Sequence, residues 1–493
     1  MPFSEGIVTF TILLLVKLLV IFLLFLWRRS QTRKDLPPGP KGLPLLGVLN
    51  NPQKMFQQFR EYRKQFGDIF GFYTGRSYTV VVNGGETIRD VFVKKGDVYS
   101  VRPSYILMRE FGGNRGILSN SGRSWKEQRT FTITTLRDFG VGKRSLEGRI
   151  LEEVEVFLDA VKNQNGQAFD VKPFIHVSVS NVLCSIIFGK RFEYDDVMLK
   201  EMVRSLNECL TGAVRVSLIE YFPFLRYLPG DLMGLKMLKR KMEKLDACYK
   251  KFLQEHRANW VVGKKDDFID CYLTEMDRRR HDPDNVFNED ELKQILSDMF
   301  NAGTDTTATV IRWIIAYVIN YPDVQSKLRK EIHDTIGRDR LPSLDDRSHL
   351  PYTMAVINEV LRIGIPSFGV PHTAAEDTYI NGYRIPKGCS MLPNIDSVNF
   401  DPNLFPDPEK FDPGRFIKED GKFNDDLRIL TFSIGRRVCP GESLARFEIF
   451  LFTASIVQRF ELLQDGPLPP STEPVLGITY SPKDFKFHAK FID

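Results

Sequence analysis

Between Phe432 and Gly441 the chain reads Phe432-Ser-Ile-Gly435-Arg-Arg437-Val-Cys439-Pro-Gly441, a lone cysteine set in a glycine-containing turn. No other stretch constrains the fold as much. A cysteine that serves as a thiolate ligand to a metal has three needs. Its loop must turn sharply, and Gly435 permits backbone angles that other residues avoid. Its charge must be stabilised by N–H groups turned toward the sulfur, which also tune a bound metal. The helix that follows must pass close to whatever the sulfur holds, and Gly441 presents no side chain there. Arg437 is placed for a charge-assisted contact with an anionic group, and Phe432 can keep water from the sulfur. A single cysteine beside glycines is usually a small buried hydrophobe; the whole spacing argues for the ligand.

The remaining cysteines, Cys184, Cys209, Cys248, Cys271 and Cys389, form no CxxC pair and no regular framework. In a chain of 493 residues they read as free thiols of a reducing compartment. Basic residues number 68 and acidic residues 63, a net charge of +5. That balance gives no case for nucleic acid and fits an anionic membrane surface or an acidic protein partner equally.

The N-terminal stretch Ile7 to Trp27 is apolar except for Thr9, Thr11 and Lys17. A helix of ~20 such residues spans a bilayer core. Arg28, Arg29, Arg33 and Lys34 follow at once, which predicts a lumenal N-terminus and a cytosolic body. The run is too long for a signal-peptide core and no small-residue cleavage site follows, so an uncleaved anchor is expected over residues 1–29. Residues 30–44 are basic and then proline-rich, Pro37-Pro38-Gly39-Pro40, a stiff spacer that cannot continue a helix. From 45 to 493 no linker, repeat or composition break appears, which predicts one domain. Segments 147–162, 235–257, 289–319, 322–336 and 354–365 carry helical periodicity; 78–82 and 379–385 are short β-rich runs. The fold class is mainly α with small β-sheets.

The spacing F-x-x-G-x-R-x-C-x-G resembles the heme-binding signature of the cytochromes P450. The likeness covers essentially the whole chain, anchor included. Segments Thr134-Thr-Leu-Arg-Asp-Phe-Gly-Val-Gly-Lys-Arg144 and Asn181-Val-Leu-Cys-Ser-Ile-Ile-Phe-Gly-Lys-Arg-Phe192 resemble family 2 of the animal microsomal enzymes. The resemblance implies the cytochrome P450 fold, with heme b (iron protoporphyrin IX) as cofactor and Cys439 as the axial ligand to iron. A donating thiolate favours O–O cleavage.

Two further constellations fit. Glu359-Val-Leu-Arg362 puts two opposite charges on one face of an otherwise apolar helix, and a buried pair needs additional partners. Arg415, in Phe411-Asp-Pro-Gly-Arg415-Phe416, is the expected third charge of this structural network. Ala302-Gly303-Thr304-Asp305-Thr306-Thr307 interrupts a long apolar helix with groups that weaken and bend it. It resembles the family's oxygen-activation motif, which makes Thr306 the hydroxyl beside the dioxygen site and Asp305 the proton-relay acid. Trp125 and Arg129, in a W-x-x-x-R pattern, and Arg102, His372 and Arg437 are carried over as partners of the heme propionates.

The implied activity is monooxygenation of a small lipophilic substrate (fatty acid, steroid or xenobiotic) with O2. The chain has no flavin or nicotinamide fingerprint, so electrons must come from NADPH through NADPH-cytochrome P450 reductase, with cytochrome b5 as a second donor. Lys126, Arg137, Lys143 and Arg436 are candidates for that docking face. Phe111, Phe300, Phe368 and Ile478 are expected to line an apolar pocket. The implied location is the endoplasmic reticulum membrane. The competing reading is a heme-thiolate isomerase or dehydratase of lipid peroxides; the intact Asp305–Thr306 pair argues against it.

Overall fold

The periodic segments fold as helices whose ends follow local chemistry. Segments 147–162 and 322–336 form helices Glu147–Lys162 and Pro322–Ile336, the second opened by a proline whose missing N–H costs nothing in a first turn. Segments 235–257 and 289–319 run slightly further, as Leu235–Asn259 and Glu289–Asn320. The last expected helix, 354–365, begins earlier, at Pro351, for the same proline reason.

The structure, a computed structural model, describes residues 11–22, 24, 35–364, 369–425, 429–477 and 479–492. They group into two compact units. One comprises Met1–Pro103, Tyr221–Pro223 and Pro371–Asn394. Its sheet is built from β1 (Ile69–Thr74), β2 (Ser77–Val82), β3 (His372–Thr373) and β6 (Ser390–Pro393), in the order β1-β2-β6-β3. β1 and β2 form an antiparallel hairpin, and β2 runs parallel to β6. Phe59, Phe70, Phe72 and Val81 make its apolar core. The run 379–385, read as one strand, is two: β4 (Thr378–Ile380) and β5 (Tyr383–Ile385). Asn381 and Gly382 between them both have positive φ, 48° and 83°, the requirement of a tight two-residue hairpin turn. The proline-rich segment does more than space. The Pro38 carbonyl accepts from Gly71 N at 2.9 Å and Leu36 is buried, because prolines lack N–H donors yet keep their acceptors.

The other unit, Ser104–Glu220, Phe224–Val370 and Ile395–Asp493, is helical. Its main helices are α1 (Gly122–Asp138), α2 (Glu147–Lys162), α3 (Lys172–Ile187), α4 (Val197–Val216), α5 (Leu235–Asn259), α6 (Phe268–Arg278), α7 (Glu289–Asn320), α8 (Pro322–Ile336), α9 (Pro351–Ile363) and α10 (Glu442–Arg459). α7 is the axis. Its sequence is apolar on nearly every face from Leu292 to Ile319, so it must be surrounded, and α3, α5, α9 and α10 pack against it. Asn288 caps it by accepting from Glu291 N, and Glu289, Asp290 and Glu291 suit the positive end of the helix dipole.

The expected membrane span, residues 7–27, lies partly outside the described residues. Within them, 11–22 are helical with exposed apolar side chains such as Leu15 and Phe22. Among the described residues, no helix is long and apolar enough to cross a membrane.

Two buried glutamates show two solutions to the same problem. Glu359 on α9 is fully buried and paired: Arg362 Nε and Nη2 donate to its two oxygens at 2.7 and 2.8 Å. Arg415 Nε adds a bond at 3.1 Å and Asp412 N one at 2.9 Å, so the expected third charge is in place. Glu448 on α10 has no such cation. Burial pushes its carboxyl well above the usual range, and a hydrogen bond from Thr307 offsets little of that. The buried carboxyl therefore favours its protonated form.

Removing the anion from the first cluster, Glu359→Ala, leaves the Arg362 charge buried without its carboxylate and is expected to cost about 3–5 kcal/mol in urea unfolding. A loss below about 1 kcal/mol would mean that the neighbouring carbonyls suffice. For Glu448 the sign runs the other way. The unfolded chain gives up this proton near pH ~4.3 while the folded chain holds it to higher pH, so stability falls as pH rises. Glu448→Gln therefore raises Tm relative to wild type at pH ~7.5 but not at pH ~4. A difference that is the same at both pH values would refute the neutral-acid assignment.

Candidate active site

The turn before α10 is shaped by backbone angles that few residues accept. Gly435 has φ 77° and Ser433 φ 62°, and the chain closes on itself where Cys439 N donates to Phe432 O at 3.0 Å. Cys439 then lies at the start of α10, with N–H groups of Gly441 and Glu442 bonded to its sulfur. Burial dominates and holds the thiol above its usual value, the Gly441 amide, Arg129 and the Glu442 amide pulling it down and the Glu442 carboxylate adding to the rise. These are the partners a thiolate needs. A Cβ placed on Gly441 would meet only the Cys439 sulfur, at 3.9 Å. The helix start therefore leaves room on the sulfur's side, as the sequence anticipates.

α1 carries the basic cluster to this turn. Arg129 donates through Nη2 to the carbonyl of Val438, next to the cysteine. The Arg437 guanidinium stacks 3.7 Å from the Trp125 ring centre. Both also hold the loop before α1: Trp125 Nε1 and Arg437 Nη1 each donate to Ile117 O at 3.2 Å, and Arg437 Nη2 donates to Asn120 O at 2.6 Å. The structure thus brings together Trp125, Arg129, Arg437 and Cys439, and shows these donors bonded to backbone carbonyls.

That loop has an anchor the sequence did not mark. Asp298 on α7 accepts from Ile117 N at 2.8 Å and Leu118 N at 2.9 Å. Burial pushes its carboxyl up to about 6, against the hydrogen bonds from Gln294, Leu118 and Ile117. Gly116, at φ 74°, is required: a Cβ there would fall 2.3 Å from Asp298 Oδ2.

On α7, the helix runs unbroken through 302–307, and Thr306 Oγ1 donates back to Ala302 O at 2.7 Å. Ala302 is exposed and Thr306 partly so, in a helix otherwise buried on both sides of this turn. That is an open face. Asp305, one residue away, is buried and turned elsewhere. Its Oδ1 lies 3.4 Å from His176 Nε2 and its Oδ2 accepts from Thr479 Oγ1 at 2.5 Å. Burial pushes its carboxyl up, but His176, Thr479 and Arg312 outweigh that and hold it below the usual value. Thr307 faces Glu448. Phe300, expected in the pocket, is fully buried against Tyr249, ring centres 6.3 Å apart. The side chain of Phe111, and Phe368 and Ile478, lie outside the described residues.

Arg102 and His372 belong to the sheet-bearing unit. Arg102 Nη1 donates to Pro371 O at 2.9 Å, and His372 Nδ1 lies 2.6 Å from Tyr99 O with its ring 4.7 Å from Phe92. Lys126, Arg137, Lys143 and Arg436 are all exposed in the helical unit.

A sulfur met by two amides, an unobstructed helix start, a cluster of arginines beside it and an apolar helix with one open turn together fit heme b. Comparison with known proteins agrees. The family model described as "Cytochrome P450" matches residues 37–489. The chain is 38% identical to Cytochrome P450 2J3 of Rattus norvegicus, covering 96% of this chain and 94% of that one. It is 36% identical to Cytochrome P450 2H2 of Gallus gallus, covering 92% of each, and 36% identical to Cytochrome P450 2B4 of Oryctolagus cuniculus, covering 94% of each. The chain belongs to the cytochrome P450 family of heme-binding monooxygenases.

Proposed function

We propose that this chain inserts one oxygen atom from O2 into a lipophilic substrate (a fatty acid, steroid or xenobiotic), using electrons from NADPH delivered by NADPH-cytochrome P450 reductase. The observation that carries this reading is the Cys439 turn, where the amides of Gly441 and Glu442 bond the sulfur beside Arg129. Heme, when bound, accepts the electrons and activates dioxygen.

The rest is work for side chains of the chain itself. Cys439 would hold the iron, and Arg129, Arg437 and Trp125 would face the propionates. Thr306 presents a hydroxyl at the open turn of α7 and keeps it oriented by donating to Ala302 O. Asp305 holds a proton-accepting carboxylate behind that turn. The apolar surroundings of α7 exclude water and admit apolar molecules. The exposed Lys126, Arg137, Lys143 and Arg436 suit an acidic electron donor, the reductase or cytochrome b5.

We also infer an N-terminal anchor over residues 1–29 that holds the enzyme on the endoplasmic reticulum membrane. The apolar run from Ile7 to Trp27 and the basic residues after it support this. Deleting residues 1–29 should move the protein from the carbonate-resistant pellet to the supernatant; an unchanged pellet would place the membrane contact elsewhere.

Activity is tested with the full chain, reductase, lipid and a panel of apolar substrates, products being identified by mass spectrometry under labelled O2. The expected products carry one labelled oxygen and need NADPH. Cys439→Ala abolishes both turnover and the thiolate-type reduced carbon monoxide spectrum. Thr306→Ala keeps NADPH oxidation but diverts it to peroxide. Turnover of lipid hydroperoxides without NADPH, and none with it, would favour the isomerase or dehydratase reading instead.

A further inference from the structure

His176 is buried in α3 at 1% exposure. Both of its ring nitrogens are engaged. Nδ1 lies 2.8 Å from Lys172 O, and Nε2 lies 3.4 Å from Asp305 Oδ1. A carbonyl oxygen only accepts, so Nδ1 carries a hydrogen. A carboxylate also only accepts, so the Nε2–Oδ1 contact requires a proton between the two groups. The other Asp305 oxygen is held by the Thr479 hydroxyl. Asp305 is therefore fixed from two sides by groups on other parts of the fold.

The charges around this pair come from three segments. Arg312, on α7 and 1% exposed, donates to Asp484 Oδ1 at 3.0 Å, and Lys172 Nζ reaches the same oxygen at 3.0 Å. Arg312 and Asp305 also attract each other directly. A strip of paired charge thus leads from the exposed Asp484 to the turn of α7 that bears Thr306. Ser180 completes the seam, donating to His176 O at 2.6 Å and leaving its oxygen to the Thr304 hydroxyl 3.1 Å away.

We propose that His176 is a positioning residue for proton delivery: its Nε2–H, acting with the Thr479 hydroxyl, sets the orientation of the Asp305 carboxylate and so the fraction of consumed oxygen that ends in product. This rests on Asp305 being the relay acid. A purely structural role would require only that some polar group satisfy the buried carboxylate. The positioning role requires a donor at the Nε2 position, and without it the carboxylate turns to other partners and the relay loses register.

Three variants separate these cases: His176→Leu, His176→Gln, which retains an N–H donor at similar reach, and Asp305→Asn. Each is measured as the full chain with reductase for product and peroxide per NADPH. Thermal unfolding of the single variants and of the His176→Leu/Asp305→Asn double variant gives a readout independent of turnover. The heme-thiolate spectrum serves as the check of folding. The His176→Leu variant should release about tenfold more peroxide per product with an unchanged spectrum, and the His176→Gln variant should stay within about twofold of wild type. The unfolding losses of His176→Leu and Asp305→Asn should be less than additive in the double variant. Normal coupling in His176→Leu, or equal uncoupling in the His176→Leu and His176→Gln variants, overturns the proposal. If Asp305→Asn itself couples normally, the relay assignment fails instead, and the two failures are told apart.

Discussion

The burial of α7 is the constraint on which the helical unit depends. A helix apolar on almost every face cannot stand at a surface, so the chain wraps it with α3, α5, α9 and α10. Three of these neighbours then serve a second purpose. α10 starts at the Cys439 turn, α9 carries the Glu359–Arg362 pair, and α3 brings His176 against Asp305. Packing and chemistry are solved by the same contacts, which is why the site has a fixed geometry.

Polar groups inside such a core are expensive unless answered, and four acids here receive four answers. Glu359 is paired with two arginines. Asp298 accepts backbone amides from a loop and so ties that loop to the helix. Glu448, beside Thr307, is pushed by burial toward its neutral form. Asp305 is kept ionised by His176, Thr479 and Arg312. The first two lock structure. The last two lie near Thr306 from two helices: Asp305 precedes it on α7, and Glu448 meets the next residue, Thr307, from α10.

Much of this was legible in the sequence wherever the signal is local. Helix ends at Glu147, Lys162, Pro322 and Ile336 follow from periodicity and proline. The Cys439 turn follows from glycine and spacing within ten residues, and the third charge at Arg415 from a short motif. What escaped has distant partners and no pattern of its own. His176 lies 129 positions from Asp305, and Asp298 lies 181 from Ile117. Nothing near His176 marks it as more than a polar residue in an apolar helix. Glu448 offered a faint cue, one acid inside Phe447-Glu448-Ile449-Phe450, and cues of that kind are shared by ordinary surface positions. The splitting of 379–385 was missed for a different reason: alternation is blind to the turn that Asn381 and Gly382 impose.

The pairing of Asp305 with Thr306 shows how adjacency in sequence differs from adjacency in space. Successive helical residues point about 100° apart. Asp305 therefore faces α3 and Thr479, Thr306 faces the open turn beside Ala302, and Thr307 faces Glu448 on α10. An acid so placed cannot sit on the open face while it keeps its bonds to His176 and Thr479. Proton delivery to that face then requires the carboxylate to leave those partners or an intervening molecule to bridge the gap. Either way, the strength with which α3 holds Asp305 enters the rate at which protons arrive. The helix geometry that buries the acid also makes its buried partners part of the reaction.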